Sequence, residues 1–235
     1  MEFPQWQYDE MRHAGTDYNS LDEVRVYDER MSRLRDTDAE TKQAMDFLAP
    51  KGGEVLVEFG CGTGRLAVET SKRCKKVHAV DISPIMLKYA AEKAGAAGCG
   101  NIEFVHAGFL TYEHKGEGPH AAVSQIALHH LPDFWKQVAL KRIADMLVPG
   151  GRFFLRDLVF SIPLERHEKA LGYEVEEVAR KGGEDFRVSF TRHLRDEYST
   201  FDWIMEEMLY RAGFDIVEAA YGDHLIAAYG CVKRG

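Results

Sequence analysis

The sequence predicts an α/β fold: a mostly parallel sheet with helices on both faces. Three observations carry that expectation. Short apolar runs alternate with longer, helix-patterned segments through most of the chain. The apolar runs are continuous, as expected of strands buried on both faces. The first strand-like run leads into a glycine-rich turn that opens a helix, and an aspartate, Asp81, closes the next run.

Taken along the chain, residues 17–49 read as two polar amphipathic helices ahead of the first strand. Strands are expected at 55–59, 77–80, 102–106, 121–126, 152–158, 215–220 and 225–232, and helices at 65–73, 84–94, 134–147 and 200–212. Several of these helices have small or capping residues just ahead of them. The stretch 161–196 stands outside the alternation: it is charged, contains the breaker pair Gly182-Gly183, and carries Phe186, Phe190 and His193, with Tyr198 close behind. Ligands of open α/β sheets bind beyond the carboxyl ends of the strands, so an insertion leaving the fifth strand there is expected to form a lid. The alternative is that it and the first two helices merely pack on the sheet.

With 235 residues and 45% hydrophobic content, the chain can bury one core. A single domain over 1–235 is expected, made of a helical cap (17–49), a cofactor-binding core (50–160), a lid insertion (161–196) and a closing helix with a strand hairpin (197–235). The formal charge of -8 argues against a surface built to neutralise nucleic-acid phosphates. The start Met1-Glu2-Phe3-Pro4-Gln5 has neither a basic cluster nor an apolar core, and no run is long enough to cross a bilayer. A cytoplasmic protein with no membrane partner is expected; oligomeric state is left open. Cys61, Cys74, Cys99 and Cys231 form no Cys-x-x-Cys pair, so reduced thiols are expected. No metal site is expected either, because His129, His130, Asp157 and His193 lack a short ligand spacing.

The turn Glu58-Phe59-Gly60-Cys61-Gly62-Thr63-Gly64 carries the chemistry. Its glycines let a ligand lie against the main chain, and the N–H groups opening the next helix favour negative charge. A carboxylate at the end of the neighbouring strand suits a ribose diol, a role for Asp81 that competes with simple helix capping. Dinucleotide sites space their glycines as Gly-x-Gly-x-x-Gly, whereas here Glu58 leads a Gly-x-Gly-x-Gly run and would repel a pyrophosphate. An adenosyl cofactor with a cationic amino-acid tail fits better.

Together with Val80-Asp81-Ile82-Ser83, Ala127-Leu128-His129-His130-Leu131-Pro132, Leu147-Val148-Pro149-Gly150-Gly151 and Arg211-Ala212-Gly213-Phe214, that turn resembles the class I S-adenosylmethionine-dependent methyltransferases, over about 54–231. The nearest branch is the one that includes the quinone-biosynthesis enzymes, which act on small molecules. The resemblance implies a Rossmann-like sheet of seven strands with the last antiparallel, S-adenosylmethionine as cofactor, and methyl transfer to a small-molecule substrate. An RNA or protein methyltransferase, or a homologue that binds the cofactor without methyl transfer, are the alternatives.

By the same resemblance Glu58 meets the amino-acid end of the cofactor, Gly60, Cys61, Gly62 and Gly64 line it, Asp81 takes the ribose, and Gln125 lies nearby. Ile82 and Met86 sandwich the adenine, though Met86 reads equally as core. Two departures stand out: Ala107-Gly108-Phe109 replaces an acidic residue that many relatives place after the third strand, leaving adenine to the backbone of Gly108 and Phe109, and His120 replaces an aspartate opening the fourth. His130 is expected to be the general base, since a histidine titrates near neutrality. Adjacent residues in a strand-like turn point opposite ways, so only one of His129 and His130 is expected at the substrate; the alternative is that both are structural. Asp157 is expected to hold a histidine, bind a substrate hydroxyl, or merely cap its loop. Tyr18, Tyr27 and Arg33 are candidates to close over the cofactor.

Overall fold

A computed structural model describes residues 4–12, 20–222 and 225–235. Its strands are β1 (Val55–Phe59), β2 (Lys76–Asp81), β3 (Ile102–His106), β4 (Ala121–Gln125), β5 (Arg152–Phe160), β6 (Thr200–Phe201), β7 (Phe214–Gly222) and β8 (Ile226–Lys233). The sheet runs β3-β2-β1-β4-β5-β8-β7, with the two-residue β6 pairing β5 off this path. β1 to β5 are mutually parallel and β8 runs antiparallel to both β5 and β7. This is the expected mixed sheet with the last strand reversed. Strand order turns back between β1 and β4, so the crevice beyond their carboxyl ends is the natural ligand site.

Eight helices among the described residues surround the sheet: α1 (Leu21–Leu34), α2 (Thr37–Leu48), α3 (Arg65–Ser71), α4 (Pro84–Ala96), α5 (Asp133–Met146), α6 (His167–Gly182), α7 (Glu184–Asp196) and α8 (Asp202–Ala212). Strand side chains alternate between faces, which splits the interior into two layers. Val57, Phe59, Phe153 and Leu155 join Leu140, Ile143 and Leu209 of α5 and α8 on one face. Leu56, Val77 and Phe154 join Leu48, Leu66 and Leu87 of α2, α3 and α4 on the other. Each such fully buried side chain contributes about 1.5–3 kcal/mol.

Local chemistry sets the boundaries. The Ser83 hydroxyl accepts from the Met86 N–H at 3.1 Å with Pro84 at the first helical position, so Ser83, not Asp81, caps α4. Asp36 likewise caps α2 through the Ala39 N–H at 2.9 Å. α8 begins at Asp202, two residues later than expected, because Thr200 and Phe201 pair in parallel with Val159 and Phe160. The insertion folds into α6 and α7, separated at Gly182-Gly183. It packs on α1, where the Arg30 guanidinium lies 4.6 Å from the Phe186 ring centre. No helix among the described residues is long and apolar enough to cross a membrane.

Candidate active site

The glycine turn is shaped by contacts that exclude larger residues. Gly60 leaves β1 with φ +69°, its N–H bonded to the Val80 carbonyl at 2.9 Å, and a Cβ there would lie 2.4 Å from the Ala127 Cβ. Gly62 and Ser83 each donate a backbone N–H to Asp81, at 2.8 Å in both cases, one to each carboxylate oxygen. These fix the carboxylate at the strand end, where it walls the first of two cavities in the crevice. Thr63 donates to Asp28 of α1 at 2.6 Å, and Lys93 of α4 binds the other Asp28 oxygen at 2.6 Å, which pins α1 over the turn. Gly64 is not among the residues that wall those two cavities, and a Cβ there would lie 2.9 Å from the Ala90 Cβ of α4.

Two adjoining cavities occupy the crevice. One, of about 160 Å³, is walled by Gly60, Gly62, Asp81, Ile82, Met86, Gly108, Phe109, Gln125 and His130, among others. The second, of about 90 Å³, holds Glu58, Cys61 and Thr63 and shares Tyr27, Met31, Gly60, Gly62 and Gln125 with the first. Most of the expected cofactor residues therefore converge. Met86 is 3% exposed, so it serves core and cavity together. Phe109 stacks on Phe59 at 5.1 Å. Glu58 is buried, and its Oε2 has no hydrogen-bond partner. Burial, and then the Asp81 charge, push its carboxyl up from 4.5 to about 8. A buried carboxyl in that state is a waiting partner for a cation. Burial also drives the Cys61 thiol well above its ordinary range, so it is an inert wall.

Both histidines reach the crevice. Leu128–His130 winds into a 3-10 turn instead of a strand-like one, so adjacent side chains do not oppose each other. The two rings lie 4.2 Å apart, centre to centre. His129 is held from both sides: Nδ1 binds Asp157 at 2.5 Å, Nε2 faces Glu197 at 3.2 Å, and its backbone N–H donates to Asp157 at 3.0 Å. Glu197 also binds Nδ1 of His193. Burial would lower the His129 pKa, but Asp157 and then Glu197 overcome it and raise it to about 9. Burial, reinforced by the charge on His129, takes His130 down to about 3. Asp157 itself is fully buried and takes up its oxygens on His129 and the Leu158 N–H at 2.8 Å. It holds a histidine, and it is His129, not His130. His129, His130 and Glu197 bring ligand-type atoms within 4.8 Å of one another, yet the hydrogen bonds of His129 account for its position without an ion.

A third cavity, of about 620 Å³, lies between α1 and α2 on one side and α6 and α7 on the other. It meets the first at Met31, Ile126 and His129. Phe186, Phe190 and His193 of the insertion line it, together with Arg35 and Arg156, both paired to Glu40 at 3.3 and 3.2 Å. Ile126 has φ +53°, a left-handed backbone that a β-branched side chain adopts only under strain, at the seam between the cavities. Arg33 is exposed and paired to Glu29 and lines none of the three cavities, whereas Arg35 lines the second and third. Tyr27 lines both smaller cavities; Tyr18 lies outside the described residues. His120 accepts from the Val55 N–H at 3.3 Å, a structural use of the substituted position.

Three participants carry no sequence motif: Glu10, Asp28 and Glu197. Only Glu197 had a signal, since His193 and Glu197 are four residues apart on one helical face.

Comparison with known proteins agrees with this geometry. The model of a family described as a methyltransferase domain matches residues 56–151. An uncharacterized methyltransferase of Geobacillus kaustophilus is 31% identical over 81% of each chain. Among solved structures, the N-methyltransferase NodS of Bradyrhizobium japonicum with S-adenosyl-L-homocysteine superposes with a TM-score of 0.60 at 14% identity, covering 89% of this chain and 99% of that one. The magnesium protoporphyrin IX methyltransferase of Synechocystis with bound S-adenosylmethionine gives 0.56 at 16% identity, covering 93% and 86%.

Proposed function

The chain belongs to the class I S-adenosylmethionine-dependent methyltransferases, and on that premise we propose that it binds S-adenosylmethionine and transfers its methyl group to a small-molecule acceptor. The observation that carries the reading is the meeting of two small cavities, walled by Glu58, Gly60 and Asp81, with a separate 620 Å³ cavity at Ile126 and His129. The residues present fit the cofactor: the unpartnered Glu58 Oε2 suits an ammonium, and Gly60 keeps clear a cradle that any Cβ would close.

When bound, S-adenosylmethionine supplies a sulfonium methyl that is already activated for in-line displacement. The chain's own residues then position and dehydrate. Glu58 holds the amino-acid end, Asp81 the ribose hydroxyls, and Ile82 and Met86 the base. α6 and α7 cover the acceptor cavity. His129, kept charged by Asp157 and Glu197 and neutralised by them, is a fixed part of the wall where the first and third cavities meet. His130 lines the first cavity and stays neutral at pH 7, so it has a ring nitrogen for the nucleophile's proton, but burial and the His129 charge make it a weaker base than the ordinary histidine that the sequence leads one to expect. Asp157 is a positioning residue acting through His129. The net charge of -8 and a walled acceptor cavity favour a small molecule over a nucleic acid.

The test is mass spectrometry of ligands that co-purify with the protein, followed by incubation with isotopically labelled methyl donor and a panel of small acceptors. Label is expected in at least one small acceptor, with His130→Ala lowering the rate by about 10²–10⁴. Binding of the donor with no transfer to any small molecule, or transfer only to RNA or protein, contradicts the proposal.

A further inference from the structure

The turn after β3 has no acidic side chain of its own, but a carboxylate stands there. It belongs to Glu10, a hundred residues earlier in the chain. Glu10 is 5% exposed, and its two oxygens accept from the Leu110 N–H at 2.9 and 3.0 Å. A Cβ on Gly108 would fall 2.4 Å from the Glu10 carboxyl carbon and 2.4 Å from Oε2. The Glu10 head group thus fills the space that a side chain at position 108 would take.

Glu10 also lines the same cavity as Asp81. Around it the wall is made by Ile82, Met86, Ala107 and Phe109, which offer apolar surface to a flat base but no side-chain acceptor for its amine. The Phe109 and Thr111 N–H groups and the Thr111 hydroxyl also face the Glu10 carboxyl, yet burial still pushes it above the ordinary carboxylate range, so the donors of the turn do not offset its desolvation in full. The segment that carries it is anchored just ahead of Glu10. Tyr8 donates to the His130 carbonyl at 3.4 Å, and Trp6 stacks on Trp135 of α5 at 6.4 Å.

We propose that Glu10 accepts a hydrogen bond from the exocyclic amine of the cofactor's adenine and sets the preference for that base. This deepens the proposed function and rests on the cofactor site described there. The amino-terminal segment thereby completes a pocket whose core strands lack the acid, and Gly108 is glycine because a carboxylate from elsewhere needs its space.

The test compares calorimetric titrations of S-adenosylhomocysteine and its analogue bearing unsubstituted purine, which lacks only the 6-amino group, on the wild type, Glu10→Ala, Glu10→Gln and Asp81→Ala. The wild type is expected to prefer the adenine form by about tenfold or more, the scale of a hydrogen bond to a charged group. Glu10→Ala should lose that ratio while keeping its affinity for the purine form, and Glu10→Gln, whose amide oxygen still accepts, should retain part of it. Asp81→Ala should weaken both ligands alike. An unchanged ratio in both Glu10 variants overturns the proposal, as does tighter adenine binding by Glu10→Ala, which would make Glu10 a plug. If the wild type binds neither ligand, the cofactor reading itself has failed.

Discussion

Glu58 and His129 are the two residues whose surroundings move their protonation furthest toward measurable consequences. The Glu58 carboxyl sits at about 8 in the folded protein against 4.5 when exposed, so the fold binds a proton that the unfolded chain has lost between those values. Stability contributed by Glu58 is therefore lost as pH rises from 4.5 through 8, at up to about 1.4 kcal/mol per pH unit. Denaturant titrations from pH 5 to 8 should show this loss, and Glu58→Gln should flatten it. A cationic ligand draws the proton off, so cofactor binding at pH 7 should release protons, visible as a dependence of the calorimetric enthalpy on buffer ionisation. For His129, raised to about 9, the contribution is present below its ordinary 6.5 and disappears as pH rises through 9. Histidine ring resonances should show one group titrating near 9 and His130 still neutral at pH 5. Asp157→Asn should bring the first down.

The elements divide into those the sequence specified locally and those it did not. The strands and the glycine turn were legible because each is written in consecutive residues: an apolar run, a tight turn, an acid at the end of the next strand. β6 was not, since two residues gain strand geometry only by pairing with β5. Glu10 was illegible for the same reason, being brought to Leu110 by folding across 100 residues, and for Glu197 the spacing from His193 was legible but not its approach to His129 across 68 residues. The paired histidines lie in a 3-10 turn where the sequence predicts a strand-like turn, so both reach the crevice instead of one. The insertion at α6 and α7 makes a separable claim. Phe186 is 7% exposed, packed over Gly182 and beneath Arg30. Phe186→Ala should destabilise the insertion by ~3 kcal/mol. The acceptor KM is expected to rise while affinity for S-adenosylhomocysteine stays put; an equal loss of both would mean that α6 and α7 support the whole crevice instead of covering one cavity.

At the scale of the whole molecule, the two interior layers hold a sheet whose strand order reverses at β1 and β4, and the chain puts its glycines and acids at that reversal. Segments from outside the sheet then divide the work. α1 is tied to the turn through Asp28, the 4–12 segment reaches the β3 end, and α6 and α7 wall the larger cavity. Under the proposed function, donor recognition would be built mainly on the sheet and acceptor recognition mainly on helices, an arrangement that would let acceptors vary without disturbing the donor. The most direct test is a titration of S-adenosylhomocysteine into the wild type and into Asp81→Ala, with thermal unfolding confirming that both are folded. Saturable one-to-one binding is expected for the wild type, weakened about a hundredfold or more by loss of two hydrogen bonds to a carboxylate. Equal affinity in the two folded proteins would contradict the placement of the cofactor in this crevice.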